Sequence, residues 1–118
     1  MSPIRVAAVA LSVLAAPACN SERLQECTRF AASIQPIYEG TPSAATVDRV
    51  SAELAAMKFE DQPLGIYAKN YQQSLTVLSS TLRLKEGPSA PDGTDDVIKQ
   101  KLKQARTDRE DIQRYCQP

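Results

Sequence analysis

Four successive segments of this chain place apolar residues at intervals of three and four positions, and this helical spacing constrains the fold more than any other feature. No stretch alternates polar and apolar residues over the length of a strand, and no Asn-Gly hairpin signal occurs. Short connections between helices favour antiparallel neighbours, so we predict an all-α, up-down-up-down four-helix bundle. The alternative is a three-helix bundle with the first segment as a kinked appendage. The predicted helices cover about residues 21–39, 42–59, 62–86 and 95–116.

Residues that favour helix ends mark these boundaries. Ser21, Thr41 and Thr94 suit the N-cap position, where a side-chain oxygen accepts a hydrogen bond from the first turn. Asp61 stands before the third segment. Pro36 lies inside the first helical pattern and predicts a kink or an early end just before it, because proline has no N–H to donate.

Each segment carries one apolar stripe that we expect to face the core. Phe30 and Ile37 widen the first stripe on one side. The predicted core positions are Leu24, Cys27, Ala31, Ile34 and Tyr38, then Val47, Val50, Leu54 and Met57, then Leu64, Tyr67, Tyr71, Leu75, Leu78 and Leu82, and finally Ile98, Leu102, Ala105, Ile112 and Cys116.

Arg109 interrupts the last of these stripes, between Ala105 and Ile112. Three interpretations are open: an ion pair across the bundle, a side chain that extends along the surface into solvent, or a site on a partner-facing side. The extended side chain is the favoured interpretation.

The first eighteen residues have the order of an export signal. Arg5 is their single charged residue, and an apolar run over residues 6–16 follows it. That run is shorter than the roughly 20 residues a membrane-spanning helix needs. Small residues at Ala16 and Ala18 suit a cleavage site. We expect residues 1–18 to be removed and residues 19–118 to form one domain.

The junction Ala18-Cys19 resembles the end of the signal segment of bacterial lipoproteins, in which an obligatory Cys becomes the lipidated first residue. The resemblance covers residues 1–19. It implies that a lipid on Cys19 anchors the protein in the bacterial envelope, and Asn20 at the next position favours the outer membrane. The alternative is ordinary cleavage after Ala18, which leaves a soluble chain that begins with Cys19.

The three cysteines of the chain point to one disulfide. Thiols pair in the oxidising compartments that exported proteins enter, and a lipid on Cys19 leaves Cys27 and Cys116 as the remaining pair. In an up-down-up-down bundle the start of the first helix lies beside the end of the last. We therefore predict a Cys27–Cys116 disulfide; the alternative is two buried free thiols.

The residues needed for several chemistries are missing from the sequence. There is no histidine and no Cys-x-x-Cys, which excludes histidine-based nucleophilic triads and argues against zinc and thioredoxin-type sites. Carboxylate pairs such as Glu22/Glu26 and Asp108/Asp111 are expected on solvated faces. We expect no enzymatic activity, cofactor or metal.

Charge and surface pattern narrow the partners. Removing Arg5 with the signal takes the formal net charge from 0 to −1, which gives no electrostatic basis for nucleic-acid binding. Ile66, Val77 and Leu84 form a second apolar line, opposite the core stripe of the third helix. With Phe59, this line is a possible docking face.

The sequence thus favours a non-enzymatic, lipid-anchored envelope protein that acts as an interaction or structural accessory component of an unidentified envelope protein. The alternative is a soluble periplasmic carrier of a small apolar ligand. That alternative predicts a cavity between the helices, lined by Leu54, Tyr71, Leu75 and Leu78.

Overall fold

The computed structural model describes residues 21–118, and in this range the chain is helical and has no strand. Helix α1 covers residues 21–34 and continues into a 3₁₀ helix at Gln35–Tyr38. Helix α3 packs against both α2 and α4, which confirms the predicted all-α bundle. The bounds of these three helices are Ala44–Ala56 for α2, Gln62–Glu86 for α3 and Thr94–Tyr115 for α4.

The end of α1 follows from a proline and a glycine. Pro36 occupies the first turn of the 3₁₀ helix, where its missing N–H leaves no bond unmade. The expected early end of the first α-helix is therefore confirmed. Gly40 has φ of +98°, a left-handed conformation that side chains with a Cβ rarely adopt, and it turns the chain towards α2.

The three predicted N-caps, Ser21, Thr41 and Thr94, are wrong. Ser43, not Thr41, caps α2. Its hydroxyl oxygen accepts a hydrogen bond from the backbone N–H of Thr46, with 3.2 Å between Oγ and N. Ser21 is itself helical.

The start of α4 also differs from the prediction. Gly93, with φ of +85°, is the residue before the helix, and Thr94 is its first residue. The Thr94 hydroxyl is used elsewhere, since it donates to the Pro91 carbonyl at 2.6 Å. By contrast, Asp61 accepts from the backbone N–H of Leu64 and caps α3.

The core contains most of the predicted stripe residues, but the stripe of α1 is rotated. Phe30 and Ile37, expected at its edge, are fully buried, whereas Ala31 is exposed and Leu24 is partly exposed. The Phe30 ring packs edge-to-face on Tyr71 of α3, with ring centres 5.4 Å apart. This aromatic contact lies on the side of α1 that faces the bundle.

Glu26 corrects a second expectation, because it is 4% exposed rather than solvated. Its carboxylate accepts hydrogen bonds from the backbone N–H of Glu60 at 2.9 Å and of Asp61 at 3.0 Å. These two amides precede α3. A side chain of α1 therefore orders the connection between α2 and α3.

Candidate functional site

The Cys27 and Cys116 sulfurs lie 2.03 Å apart, at bonding distance, as the sequence predicts. Cys27 is in α1 and Cys116 directly follows α4, so the bond joins the two ends of the described chain. Cys19, the predicted lipidation site, lies outside the described residues. None of the helices within residues 21–118 is long and apolar enough to cross a membrane.

Polar contacts reinforce the disulfide end of the bundle. The Arg23 guanidinium lies over the Tyr115 ring, 5.4 Å from its centre, and donates to the Gln117 carbonyl. The Tyr115 hydroxyl donates to the Asp61 carboxylate at 2.5 Å, and this hydrogen bond raises the pKa of Tyr115. Residues of α1, the start of α3 and the end of α4 meet here.

A cleft of about 120 Å³ lies between α1 and α4, next to the disulfide. Its apolar walls include Phe30, Ile34 and Ile112, together with both sulfur-bearing side chains. Its remaining lining residues are Ala31, Gln35, Tyr38, Arg109 and Gln113.

Arg109 is the one cationic side chain among these lining residues, and it stacks on an aromatic ring. Its guanidinium carbon lies 3.8 Å from the centre of the Tyr38 ring. Its Nε atom is buried and has no hydrogen-bond partner within residues 21–118. No carboxylate in this range lies within ion-pair distance of it. The ion-pair interpretation of Arg109 is therefore wrong for the described chain; the side chain is partly exposed, and its guanidinium stacks on Tyr38.

Behind Arg109 two tyrosine hydroxyls meet, with the Tyr38 and Tyr71 oxygens 2.8 Å apart. Tyr71 is fully buried. Burial raises the pKa of both phenols, because a phenolate is poorly solvated there, and the Arg109 charge opposes this effect on each. At neutral pH the pair is uncharged and holds the end of the 3₁₀ helix to α3 by one hydrogen bond.

Asp108 is next to Arg109 in the sequence, but its carboxylate forms hydrogen bonds with other residues. Asp108 accepts from the Ser74 hydroxyl at 2.6 Å and from the Gln104 amide at 3.1 Å. The Ser74 bond ties α4 to α3, the Gln104 bond lies within α4, and Asp108 forms no ion pair with Arg109. Within residues 21–118, no three acidic or cysteine side chains are grouped so that they would hold a metal ion.

The predicted second apolar line on α3 is solvent-exposed. Ile66, Val77 and Leu84 are 64%, 46% and 54% exposed. Phe59 does not extend this line, since it is partly buried and packs against the core. The exposed surface is therefore narrower than the sequence predicts.

The residues predicted to line a carrier cavity are packed in the core instead. Leu54, Tyr71, Leu75 and Leu78 are all buried, and none of them lines the cleft between α1 and α4. Sequence patterns missed that cleft. The signal was present in the helix register: Tyr38 lies eleven positions after Cys27, and Arg109 lies seven before Cys116. In antiparallel helices joined at these cysteines, the two positions differ by about one turn.

Comparison of the chain with protein-family models, with curated proteins and with solved structures found no match.

Proposed function

We propose that this protein is a lipid-anchored, non-enzymatic component of a bacterial cell envelope, where it serves as an interaction or structural accessory protein. The observation that carries the proposal is the bond between Cys27 and Cys116. Structural disulfides are typical of exported proteins and are rare in the cytosol. The bond accounts for two of the three cysteines and leaves Cys19 for a different chemistry.

Lipidation of Cys19 supplies that chemistry, because a thioether cannot form a disulfide. Eight positions separate Cys19 from Cys27. An anchor at Cys19 would therefore tether the end of the bundle where α1 and α4 are joined. The disulfide and the contacts of Arg23 and Tyr115 stabilise that end. A pulling force between the membrane anchor and the helices would act on this end.

The accessory role is supported by the exposed apolar line on α3. Ile66, Val77 and Leu84 lie on the side opposite the core stripe, where burial by another protein would remove apolar surface from water. In the proposed role, this face of α3 contacts an envelope protein.

Intact mass spectrometry tests the anchor. The protein is purified from a Gram-negative envelope fraction and measured before and after reduction. We expect a chain that begins at Cys19, carries acyl mass and gains two hydrogens on reduction. Cys19→Ser should abolish the acyl mass and release the protein from the membrane fraction. A chain that begins at Cys19 without acyl mass would contradict lipid anchoring.

Photo-crosslinking tests the partner face. A photoreactive residue at Val77 should give a discrete adduct in intact cells, whereas the same residue at Thr76, an exposed position about 100° around α3 from Val77, should not. Adding Ile66→Glu to the Val77 probe should weaken the adduct. Equal labelling from both positions, or none from Val77, would argue against this face.

A further inference from the structure

We propose that the cleft between α1 and α4 binds a small organic acid, with the apolar part of the acid in the cleft and its carboxylate on Arg109. The inference rests on the cleft alone and does not depend on the lipid anchor or on the apolar line of α3. It also differs from a carrier site in the bundle core, since the residues expected there are packed against one another.

The size and walls of the cleft set the apolar part of the ligand. Phe30, Ile34 and Ile112 supply an apolar surface beside the disulfide. The volume is about 120 Å³. An apolar protein cavity of about 150 Å³ is enough to hold benzene. The cleft is somewhat smaller, so a short alkyl chain or part of one aromatic ring matches the space, with the rest of the molecule at the cleft mouth.

The surroundings of the Arg109 guanidinium indicate which polar group the ligand carries. The Nε–H of Arg109 is buried and has no acceptor within residues 21–118, and no carboxylate in that range forms an ion pair with the guanidinium, so this donor has lost hydration without gaining a hydrogen bond. Stacking on Tyr38 covers one face of the group and restricts its orientation. The donors of a guanidinium lie in its plane, and their spacing matches the two oxygens of a carboxylate.

The surrounding charge favours a single negative charge on the ligand. Arg109 is the one charged side chain among the described residues that line the cleft, so the lining carries one positive charge. The amide side chains of Gln35 and Gln113 also line the cleft and are neutral. A carboxylate monoanion balances this site, whereas a phosphate dianion would exceed it.

Binding is tested by titrating the ¹⁵N-labelled protein, with its disulfide oxidised, with benzoate. Benzyl alcohol is the uncharged probe of similar size, and sodium chloride at equal ionic strength controls for screening. We expect saturable shifts of the Arg109 Nε–H signal and of the Ala31 and Ile112 amides, with a dissociation constant on the order of 1 mM. Benzyl alcohol should bind at least about tenfold more weakly.

Two variants distinguish the contribution of the Arg109 charge to binding from the contribution of the cleft volume. Arg109→Gln should weaken benzoate binding at least about tenfold and leave benzyl alcohol nearly unaffected. Ala31→Phe should fill the cleft from its exposed rim and weaken both probes. Arg49→Gln makes the same charge change at an exposed position of α2 and should leave both unaffected.

Circular dichroism and thermal melts establish that each variant is folded. The proposal is overturned if benzoate and sodium chloride produce the same shifts, if benzyl alcohol binds as tightly as benzoate, or if folded Arg109→Gln protein binds benzoate like the parent.

Discussion

The guanidinium carbon of Arg109 lies 3.8 Å from the centre of the Tyr38 ring, so the cation that interrupts the apolar stripe of α4 packs on the aromatic residue that ends the 3₁₀ helix. The same ring carries the hydroxyl that meets Tyr71 in the core. One residue, Tyr38, thus connects the wall of the cleft to the centre of the bundle.

The hydroxyl contact predicts a specific loss of stability. In Tyr38→Phe the buried Tyr71 hydroxyl loses its partner, and we expect the free energy of unfolding to fall by about 1 to 3 kcal/mol. The measurement is urea unfolding followed by circular dichroism. Tyr67→Phe is the matched control, because Tyr67 is partly buried and packs on Tyr115 without entering this pair. Equal losses in both variants would contradict a role for the hydroxyl pair.

Glu26 predicts a second loss, because its carboxylate accepts two backbone amides. Glu26→Ala leaves the N–H groups of Glu60 and Asp61 without that acceptor, and we expect the free energy of unfolding to fall by about 1 to 3 kcal/mol. Glu22→Ala, an exposed change on the same helix, should stay within about 0.5 kcal/mol of the parent. Chemical denaturation of both variants side by side checks this, and an equal effect would mean that the Glu26 contacts do not stabilise the fold.

Reduction of the disulfide should lower stability strongly. The bond closes a loop between residues 89 positions apart, for which the chain-entropy relation gives at most about 4 to 5 kcal/mol. We expect urea unfolding of the reduced protein to have a lower midpoint than that of the oxidised protein. A Cys27→Ala, Cys116→Ala double variant should match the reduced protein and should not respond to reductant. A reduced midpoint equal to the oxidised one would show that the bond does not stabilise the bundle.

Alkaline pH should destabilise the protein through its buried phenols. Burial places the pKa values of Tyr38 and Tyr71 above the ordinary value of 10.0, so the folded state holds their protons more tightly than the unfolded chain does. This contribution to stability is complete below the unfolded pKa and declines as pH rises above it.

Urea unfolding from about pH 8 to about pH 11 should show a plateau and then a fall above about pH 10. In the Tyr38→Phe, Tyr71→Phe double variant the fall should be shallower, because two of the groups with raised pKa values are gone. An identical slope in the parent and the double variant would contradict this assignment.

The sequence predicted helix boundaries well where a residue within one turn of the helix end determines them. The bounds of α3, residues 62–86, were predicted because a capping Asp61 and a terminal Gly87 act within one turn of the helix. The early end of α1 follows equally from Pro36. The N-cap of α2 was misplaced because Thr41 and Ser43 both suit the position, and only the backbone conformation selects between them.

The disulfide was predictable for a different reason. The number of cysteines and the antiparallel order of four helices together place Cys27 beside Cys116. This inference needs the topology, which short connections already favour. It also needs both cysteines on the core-facing stripes, because a disulfide requires that the two side chains point towards each other.

The sequence by itself determined the all-α class, most of the core residues and the exposed line of Ile66, Val77 and Leu84, because apolar spacing along a helix decides which of its sides is buried. Only the tertiary structure decided the burial of Glu26, the stacking of Arg109 on Tyr38 and the cleft beside them. These features arise where side chains of different helices meet. They depend on the rotation and depth of packing of each helix, which the spacing of residues within one helix does not specify.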